Sequence, residues 1–357
     1  MFLESIVGRI ATARKNYTVR TCLLRYMVMD THIHYFGQSM MDELNEMIVD
    51  EIGSHASIKS FYESEDLGFT TEEADERVEM MDEWGQESAV LSFPSPESFI
   101  DAEYLKQPSV YGAFSRIVND NLAEIHEQHP DRLYGYASVP LVDADAAIEE
   151  LDRAIDDLGL QGVCLDSNVF GQYLSEEPFR PFFEHANDRN VPVFIHPTNP
   201  AGKERMTRYY TESMVGFPTD TALVASYMIY SGFMEAYDDL EIILSHLGGT
   251  LPYIRRRLEF LYSENDPAFA EHQITTLDRH PPSYLDDFWY DTAMTFPRAM
   301  EMTHDLVGDR LVFGSDFPFG PKDSPATTQD QIAELELSAE SEAALMSENL
   351  EEILLNI

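Results

Sequence analysis

The chain has 357 residues, 44% of them hydrophobic, and none of its apolar runs reaches the roughly 18 residues that a membrane-spanning helix needs. Its 65 acidic residues outnumber 23 basic residues, which gives a formal net charge of −42 at pH 7. Nucleic acid and anionic membranes would be repelled by such a surface, so both are excluded as partners.

The basic residues are mostly arginine, since only five are lysine: Lys15, Lys59, Lys106, Lys203 and Lys322. An acidic, lysine-poor surface around a full-sized core favours a halophilic protein that works in a salt-rich cytoplasm. At ~1 M salt the screening length falls to about 3 Å, which mutes the repulsion among carboxylates. The alternative is an ordinary acidic protein without a salt requirement.

The first residues differ in charge from the rest of the chain. Up to residue 29 there are five basic residues and one acidic residue, without the sustained apolar core of a secretory signal. We therefore divide the chain into a basic extension, 1–26, and a single domain, 27–357. We expect the extension to be a gene-model artefact, with translation starting at Met27 or Met29. A targeting arm is the alternative, and intact-mass analysis of the native protein distinguishes the two.

From residue 28 onward, short apolar runs alternate with amphipathic stretches, as in a βα repeat. The predicted strands are 28–34, 88–91, 133–139, 161–165, 191–196, 240–246, 288–291 and 311–313. The predicted helices are 71–84, 113–128, 143–159, 178–189, 220–237, 251–262 and 297–305. Eight strand units predict a (β/α)8 TIM barrel with a closing helical tail, 338–357. After the first strand, residues 38–70 are too acidic and irregular for a barrel helix, so we predict an insertion that forms a lid over the site or flanks it.

Residues with metal-binding side chains stand at the ends of four predicted strands. These residues are His32 and His34 in the first strand, then His196, His246 and Asp316. Because a strand alternates its faces, the first two histidines point the same way. The carboxyl ends of the strands of a parallel barrel meet at one face, so we expect all five side chains to converge there.

Imidazole and carboxylate ligands suit zinc and its first-row neighbours, and three or four such ligands with an open position form a catalytic site. We predict that His32, His34, His196 and Asp316 bind a divalent metal ion, with zinc expected and manganese or cobalt as alternatives. His246 would stand beside the metal-bound water as its base, and Asp316 is a second proton carrier. Buried histidines also serve packing alone, but their selective placement at strand ends argues against that interpretation.

The motifs around these residues resemble the amidohydrolase superfamily, in the branch typified by aminocarboxymuconate semialdehyde decarboxylase. They read DTHIH at 30–34, HPTNP at 196–200, VGFPTDTA at 215–222, SHLGG at 245–249, YDTA at 290–293 and FGSDFP at 313–318. The resemblance covers the chain from Met29 to its end and implies the same ligands and the same base. It also matches Arg257 to a position that holds a substrate carboxylate, and it implies a homodimer.

Two departures from that branch bear on the site. The fourth strand offers Cys164 and Asp166 but no lysine to bridge two metal ions, which favours a mononuclear centre. The stretch after the first strand holds only Lys59 where the branch has a second carboxylate-binding arginine, so the substrate stays open. Arg257 has an alternative as well, because a helix arginine can pair with a nearby acid such as Glu259.

The ligand set suits two kinds of reaction. We favour metal-dependent decarboxylation of a small anionic substrate, an aromatic or unsaturated cyclic carboxylic acid. Arg257 favours an anion, and aromatic side chains flank the ligands at Tyr35, Phe36, Phe317 and Phe319. The alternative is a hydrolase or hydratase acting on a lactone, amide or ester, whose carbonyl the metal polarises. A metal-binding scaffold without catalysis is the third interpretation, but a complete ligand set with a base argues against it.

Overall fold

A computed structural model describes residues 27–53, 71–98, 100, 102–260 and 277–354. All eight predicted strands are present, several of them shorter than expected. They are β1 Met29–His34, β2 Ser88–Ser92, β3 Leu133–Gly135, β4 Val163–Asp166, β5 Val193–His196, β6 Ile242–Leu244, β7 Phe288–Asp291 and β8 Leu311–Val312. A short antiparallel hairpin, Asn168–Val169 with Gln172–Tyr173, follows β4.

The strands form two parallel sheets, one with the order β1-β2-β3 and one with the order β4-β5-β6-β7-β8. Neighbours in the chain are therefore neighbours in space, as helical crossovers require. The two sheets meet at single bridges, Ala137 with Val163 and Ile33 with Phe317. The continuous pairing of strands is interrupted at these two junctions, which we call the seams. At the first of them, Asn119 bonds both the N–H and the carbonyl of Ser138, so β3 ends before the predicted residue 139.

Apolar side chains, most of them from the strands themselves, form an inner layer next to the polar site. It contains Met29, Val90, Tyr136, Phe194, Ile243, Trp289 and Val312. The Phe194 ring contacts the His32 ring edge-on, with 5.0 Å between the ring centres. The site therefore rests directly on packed side chains, which limit its movement.

Each predicted helix has a counterpart. The described helices are Gln38–Glu51, Ala74–Trp84, Ala102–Leu105, Pro108–Gln128, Ala144–Asp152, Arg180–Asp188, Phe217–Tyr230, Phe233–Ala236, Arg255–Phe260, Pro297–Val307, Ser324–Ile332, Ala339–Ala343 and Asn349–Leu354. Their ends follow local capping chemistry. The Asp143 carboxylate accepts from the Ala146 N–H, and Glu73 and Glu76 form a capping box that starts the second helix later than predicted.

Residues 38–70, which we expected to be too polar and irregular for a barrel helix, contain the helix Gln38–Glu51. Met40, Met41, Leu44 and Ile48 are buried along one side of that helix, and its acids stand mostly outside. A helix needs only such an apolar stripe, which the high acid content of the segment obscured. Residues 54–70 and 1–26, which carry the remaining predictions for the insertion and the extension, lie outside the described residues.

The C-terminal tail closes the inner layer from the side opposite the site. Leu350 and Ile353 belong to the same cluster as Val312 and as Met29, which is the first residue of β1 and so lies at the end of that strand far from the histidines. None of the helices in the described part of the chain combines the length and apolarity that a bilayer crossing demands.

Candidate metal centre

The four predicted ligand residues lie together at the carboxyl ends of the strands. β1 supplies His32 and His34, β5 ends at His196, and Asp316 follows β8. One ligand atom from each of the four lies within 4.8 Å of the others. All four residues are buried, with at most 7% of their surface exposed. Residues from opposite ends of the sequence therefore share one small polar space.

In each of these four residues, a side-chain nitrogen or oxygen atom has no hydrogen-bond partner among the described residues. Asp316 Oδ1 lies 3.2 Å from His32 Nε2 and 3.3 Å from His34 Nε2, yet these atoms make no well-aligned hydrogen bond, and His196 Nδ1 also has none. Buried polar atoms without partners are rare and call for a ligand. Imidazole nitrogen and carboxylate oxygen are the donors that first-row divalent ions take, so these residues fit one such ion.

Two side chains behind the histidines set their orientation. His32 Nδ1 lies 2.6 Å from Asp291 Oδ2, and His34 Nδ1 lies 3.0 Å from Ser92 Oγ. A carboxylate that accepts from Nδ1–H leaves Nε2 free to face the centre. We assigned no role to Asp291 or Ser92 from the sequence, although each ends a strand in the same way as the ligands. The strand-end rule would have identified Asp291, which closes β7.

The charges of the site are strongly coupled. Burial opposes a charge on His32, but the carboxylates of Asp291 and Asp316 raise its pKa to about 10. Burial lowers the pKa of His196 well below its usual range, and the neighbouring His34 and His32 add to that effect. Burial alone would raise the pKa of Asp316, but the charge on His32 and the hydrogen bond with His246 hold it well below its usual range. A metal-bound imidazole is neutral, so an ion would take the place of the His32 proton.

His246 stands in a turn with an unusual backbone. Residues His246 to Gly249 all have positive φ angles, between 53° and 68°. The His246 N–H donates to Asp291 Oδ1 at 2.7 Å, so one carboxylate holds both this turn and the His32 ring. His246 Nε2 lies 3.3 Å from Asp316 Oδ2. The turn therefore places the imidazole beside the four donors without making it one of them.

Gly249→Ala is expected to destabilise this turn. An added Cβ would lie 1.9 Å from the Pro218 carbonyl oxygen, at a φ of +62°. We expect the free energy of unfolding to fall by roughly 2–3 kcal/mol, the cost of a strained backbone, in a denaturant titration. Gly112→Ala is the matched control, since its Cβ meets nothing within 4 Å and the residue lies inside a helix. That change should add about 0.5–1 kcal/mol. Equal effects of both changes would contradict the need for glycine in the turn.

The site opens into a cavity of about 680 Å³. His196, His246 and Asp316 line its inner end. Most of the remaining wall is apolar or aromatic, including Leu247, Met214, Phe217, Met294, Phe296, Met302 and Phe319. Among the described residues, neither lysine nor arginine lines this cavity.

Arg257 has an exposed side chain on the helix Arg255–Phe260 and is not among the described residues that line the cavity. Glu259, suggested as its alternative partner, pairs with Arg256 instead. The structure thus brings five of the six predicted site residues together, and the role of Arg257 stays a prediction.

The aromatic residues that flank the ligands in the sequence lie in two different environments. Phe319 lines the cavity, and its ring centre lies 5.2 Å from that of His34. Tyr35, Phe36 and Phe317 are buried in the hydrophobic core instead.

In the fourth strand, Asp166 accepts a hydrogen bond from Ser95, which lines the cavity, at 2.8 Å. Burial raises the pKa of Asp166 well above its usual range.

Sequence comparison places these residues in a known family. The amidohydrolase family model matches residues 29–354. A 2-amino-3-carboxymuconate-6-semialdehyde decarboxylase of Dictyostelium discoideum is 30% identical over 60% of this chain, and the match spans 59% of that relative's length. A 6-methylsalicylic acid decarboxylase of Aspergillus aculeatus is 28% identical over 84% of this chain and 86% of its own. A gamma-resorcylate decarboxylase of Rhizobium radiobacter is 29% identical over 69% of this chain and 76% of its own.

Solved structures share the fold. The 5-carboxyvanillate decarboxylase LigW from Sphingomonas paucimobilis has a TM-score of 0.76 at 22% identity, covering 92% of this chain and 99% of that chain. A dihydroxybenzoic acid decarboxylase from Polaromonas sp. JS666, with bound manganese, has a TM-score of 0.72 at 24% identity, covering 92% of this chain and 97% of that chain. The predicted resemblance is confirmed: this chain belongs to the amidohydrolase family.

Proposed function

We propose that this chain is a metal-dependent decarboxylase of an aromatic or unsaturated cyclic carboxylic acid. The observation that carries the proposal is the group of four buried donor residues with partnerless atoms, two of which, His196 and Asp316, line the inner end of an apolar cavity. An apolar wall suits a ring, and the polar end suits the carboxyl group that the ring bears. The three relatives described above are all named as decarboxylases.

We propose that the eight strands form a (β/α)8 barrel within a single domain, 27–357. Hydrogen bonds cross both seams in support of this closure. The Thr31 N–H donates to the Phe313 carbonyl at 2.9 Å, and the Ala137 N–H donates to the Gly162 carbonyl at 2.8 Å. A barrel would place every predicted ligand at its carboxyl-terminal face, where barrel enzymes carry their active sites.

In this proposal His32, His34, His196 and Asp316 hold one divalent ion. Zinc, manganese and cobalt all accept nitrogen and oxygen donors of this kind. We favour zinc on the donor set, and the manganese in the Polaromonas relative supports manganese as the alternative. Elemental analysis of the purified protein identifies the metal directly.

Two polar side chains of the site are assigned to proton transfer in this reaction. When bound, the ion supplies Lewis acidity that neutralises substrate oxygen atoms. Decarboxylation breaks the bond between the ring carbon and the carboxyl carbon, and the electron pair stays on the ring carbon as CO2 leaves. That carbon then takes up a proton. His246 and Asp316, whose side chains lie 3.3 Å apart, are the groups positioned to hold and deliver it.

A substrate panel tests this function. Protein loaded with zinc or manganese in molar KCl is mixed with aromatic carboxylic acids, and headspace CO2 is measured. We expect CO2 from at least one acid, with loss of the signal after chelation. Release of acid from lactones, amides or esters without any CO2 would replace the proposal with the hydrolase alternative.

We further propose that the protein is a halophilic, cytoplasmic homodimer. The excess of 65 acidic over 23 basic residues supports the first two statements, and it also disfavours nucleic acid and anionic membranes as partners. The dimer rests on the family resemblance, and sedimentation velocity in molar KCl tests it. The small anionic substrate would approach an acidic molecule most easily in such salt, because the repulsion is then screened.

Thermal melting tests the salt requirement. We expect the melting temperature to rise by roughly 5–10 °C between 0.1 M and 2 M KCl, a shift that corresponds to a few kcal/mol for a chain of this size. The physical reason is the screening of repulsion among surface carboxylates. Sucrose at matched osmolality is the control, since it adds no screening. Equal melting temperatures in both salt solutions would show an ordinary acidic protein.

A further inference from the structure

The apolar surface of this protein is concentrated around the mouth of the cavity. Seven of the eleven large hydrophobic side chains exposed in the described residues line this one cavity. Met214, Tyr253, Met294 and Phe296 are each more than half exposed there. Exposed apolar clusters of this kind mark binding sites more often than bare surface. Because the cluster continues inward to His196 and Asp316, the ligand of that site is its natural occupant.

The cavity is larger than a simple ring acid needs. A closed space of roughly 150 Å³ is enough for a benzene molecule. The cavity here measures about 680 Å³ and leads from His196 and Asp316 to the exposed mouth. A single-ring acid bound at the inner end would leave most of that apolar wall without contacts.

The charges of the wall restrict what fills the remaining space. At the inner end of the cavity, the ionisable side chains among the described residues are those of His196, His246 and Asp316. No described residue that lines the cavity is a lysine or an arginine. A second carboxylate on the ligand would lose its water without gaining a cation, which is strongly unfavourable. Apolar groups meet no such cost against Met294, Phe296 and Met302.

We propose that the substrate is an aromatic monocarboxylic acid that carries an apolar substituent of several carbons. Its carboxyl end lies at the four donors, and its substituent lies along the apolar side chains toward the mouth. This proposal rests on the proposed function for the position of the carboxyl group. To that function it adds a prediction of the size and charge of the rest of the substrate.

Binding measurements test this substrate class. Isothermal titration of the manganese-loaded protein compares 2-hydroxybenzoate with its propyl derivatives at each free ring carbon. Each buried methylene should strengthen binding by about threefold to fourfold, so one propyl isomer should bind at least about tenfold more tightly than the parent acid. The counter-probe is 4-hydroxyisophthalate, which carries a second carboxylate in place of the alkyl group, and it should bind more weakly than the parent.

Variants at the mouth locate the substituent. Met214→Ser and Phe296→Ser should each reduce the propyl advantage by about threefold or more, since both residues line the cavity. Val215→Ser is the matched control, because Val215 is 57% exposed and adjacent to Met214 but absent from the described lining. It should keep the full propyl advantage. Phe296 is the N-cap of the helix Pro297–Val307, where serine is a favoured residue, so that variant should fold.

The outcomes separate this proposal from the proposed reaction. Equal affinity for the parent and all propyl acids, or tighter binding of the dicarboxylate, would overturn the substrate class even if CO2 is released. Chain-length-dependent affinity without CO2 from any acid would support the substrate class and overturn the reaction. If the two mouth variants change the sedimentation coefficient and leave the propyl advantage intact, a second copy of the chain covers the mouth and the proposal is wrong.

Discussion

Replacement of His32 by alanine is expected to abolish both metal binding and turnover. The change removes one of the four converging donors and leaves Asp291 Oδ2 without the imidazole that lies 2.6 Å away. Loss of a supporting residue behind a ligand already costs about 10- to 100-fold in metal affinity, so loss of the ligand itself should exceed that range. The measurement is elemental analysis after gel filtration, combined with CO2 release from the best acid of the panel.

A second histidine provides the control for this change. His304 lies on the helix Pro297–Val307, and its imidazole pairs with Asp309 at the surface. His304→Ala removes the same number of atoms and should keep a full equivalent of metal and normal turnover. Unaltered metal content in the His32 variant would eliminate the proposed centre. Thermal melting separates a local effect from unfolding: the wild type should lose stability on chelation, whereas the folded His32 variant should not respond.

The order of the strands and the convergence of five polar residues were predictable because they follow from simple periodicity. Apolar runs that end in His196, His246 or Asp316 identify strand ends without any knowledge of distant contacts. A parallel arrangement then brings those ends to one face. The structure places these side chains together for that reason.

The supporting residues were harder to predict because their roles depend on contacts between strands. Ser92 and Asp291 are polar residues at strand ends, but only the register of neighbouring strands places them against the Nδ1 atoms of His34 and His32. The helix Gln38–Glu51 was missed because its apolar stripe is diluted by acids. Arg257 was assigned by resemblance alone, and a resemblance gives no side-chain direction.

Replacement of His246 by alanine should separate metal binding from catalysis. The His246 ring stands outside the group of four donors, with its Nε2 3.3 Å from Asp316 Oδ2, so the variant should retain a full equivalent of metal. Turnover should fall by about 10²- to 10⁴-fold, the usual contribution of a positioned proton-transfer group. Binding of the propyl acids should persist, because the apolar wall is intact. His246→Gln extends the test, since an amide fills similar space but cannot exchange a proton at this position. Normal turnover in both variants would remove His246 from the mechanism, whereas loss of the metal in both would make His246 a fifth ligand and leave Asp316 as the proton carrier.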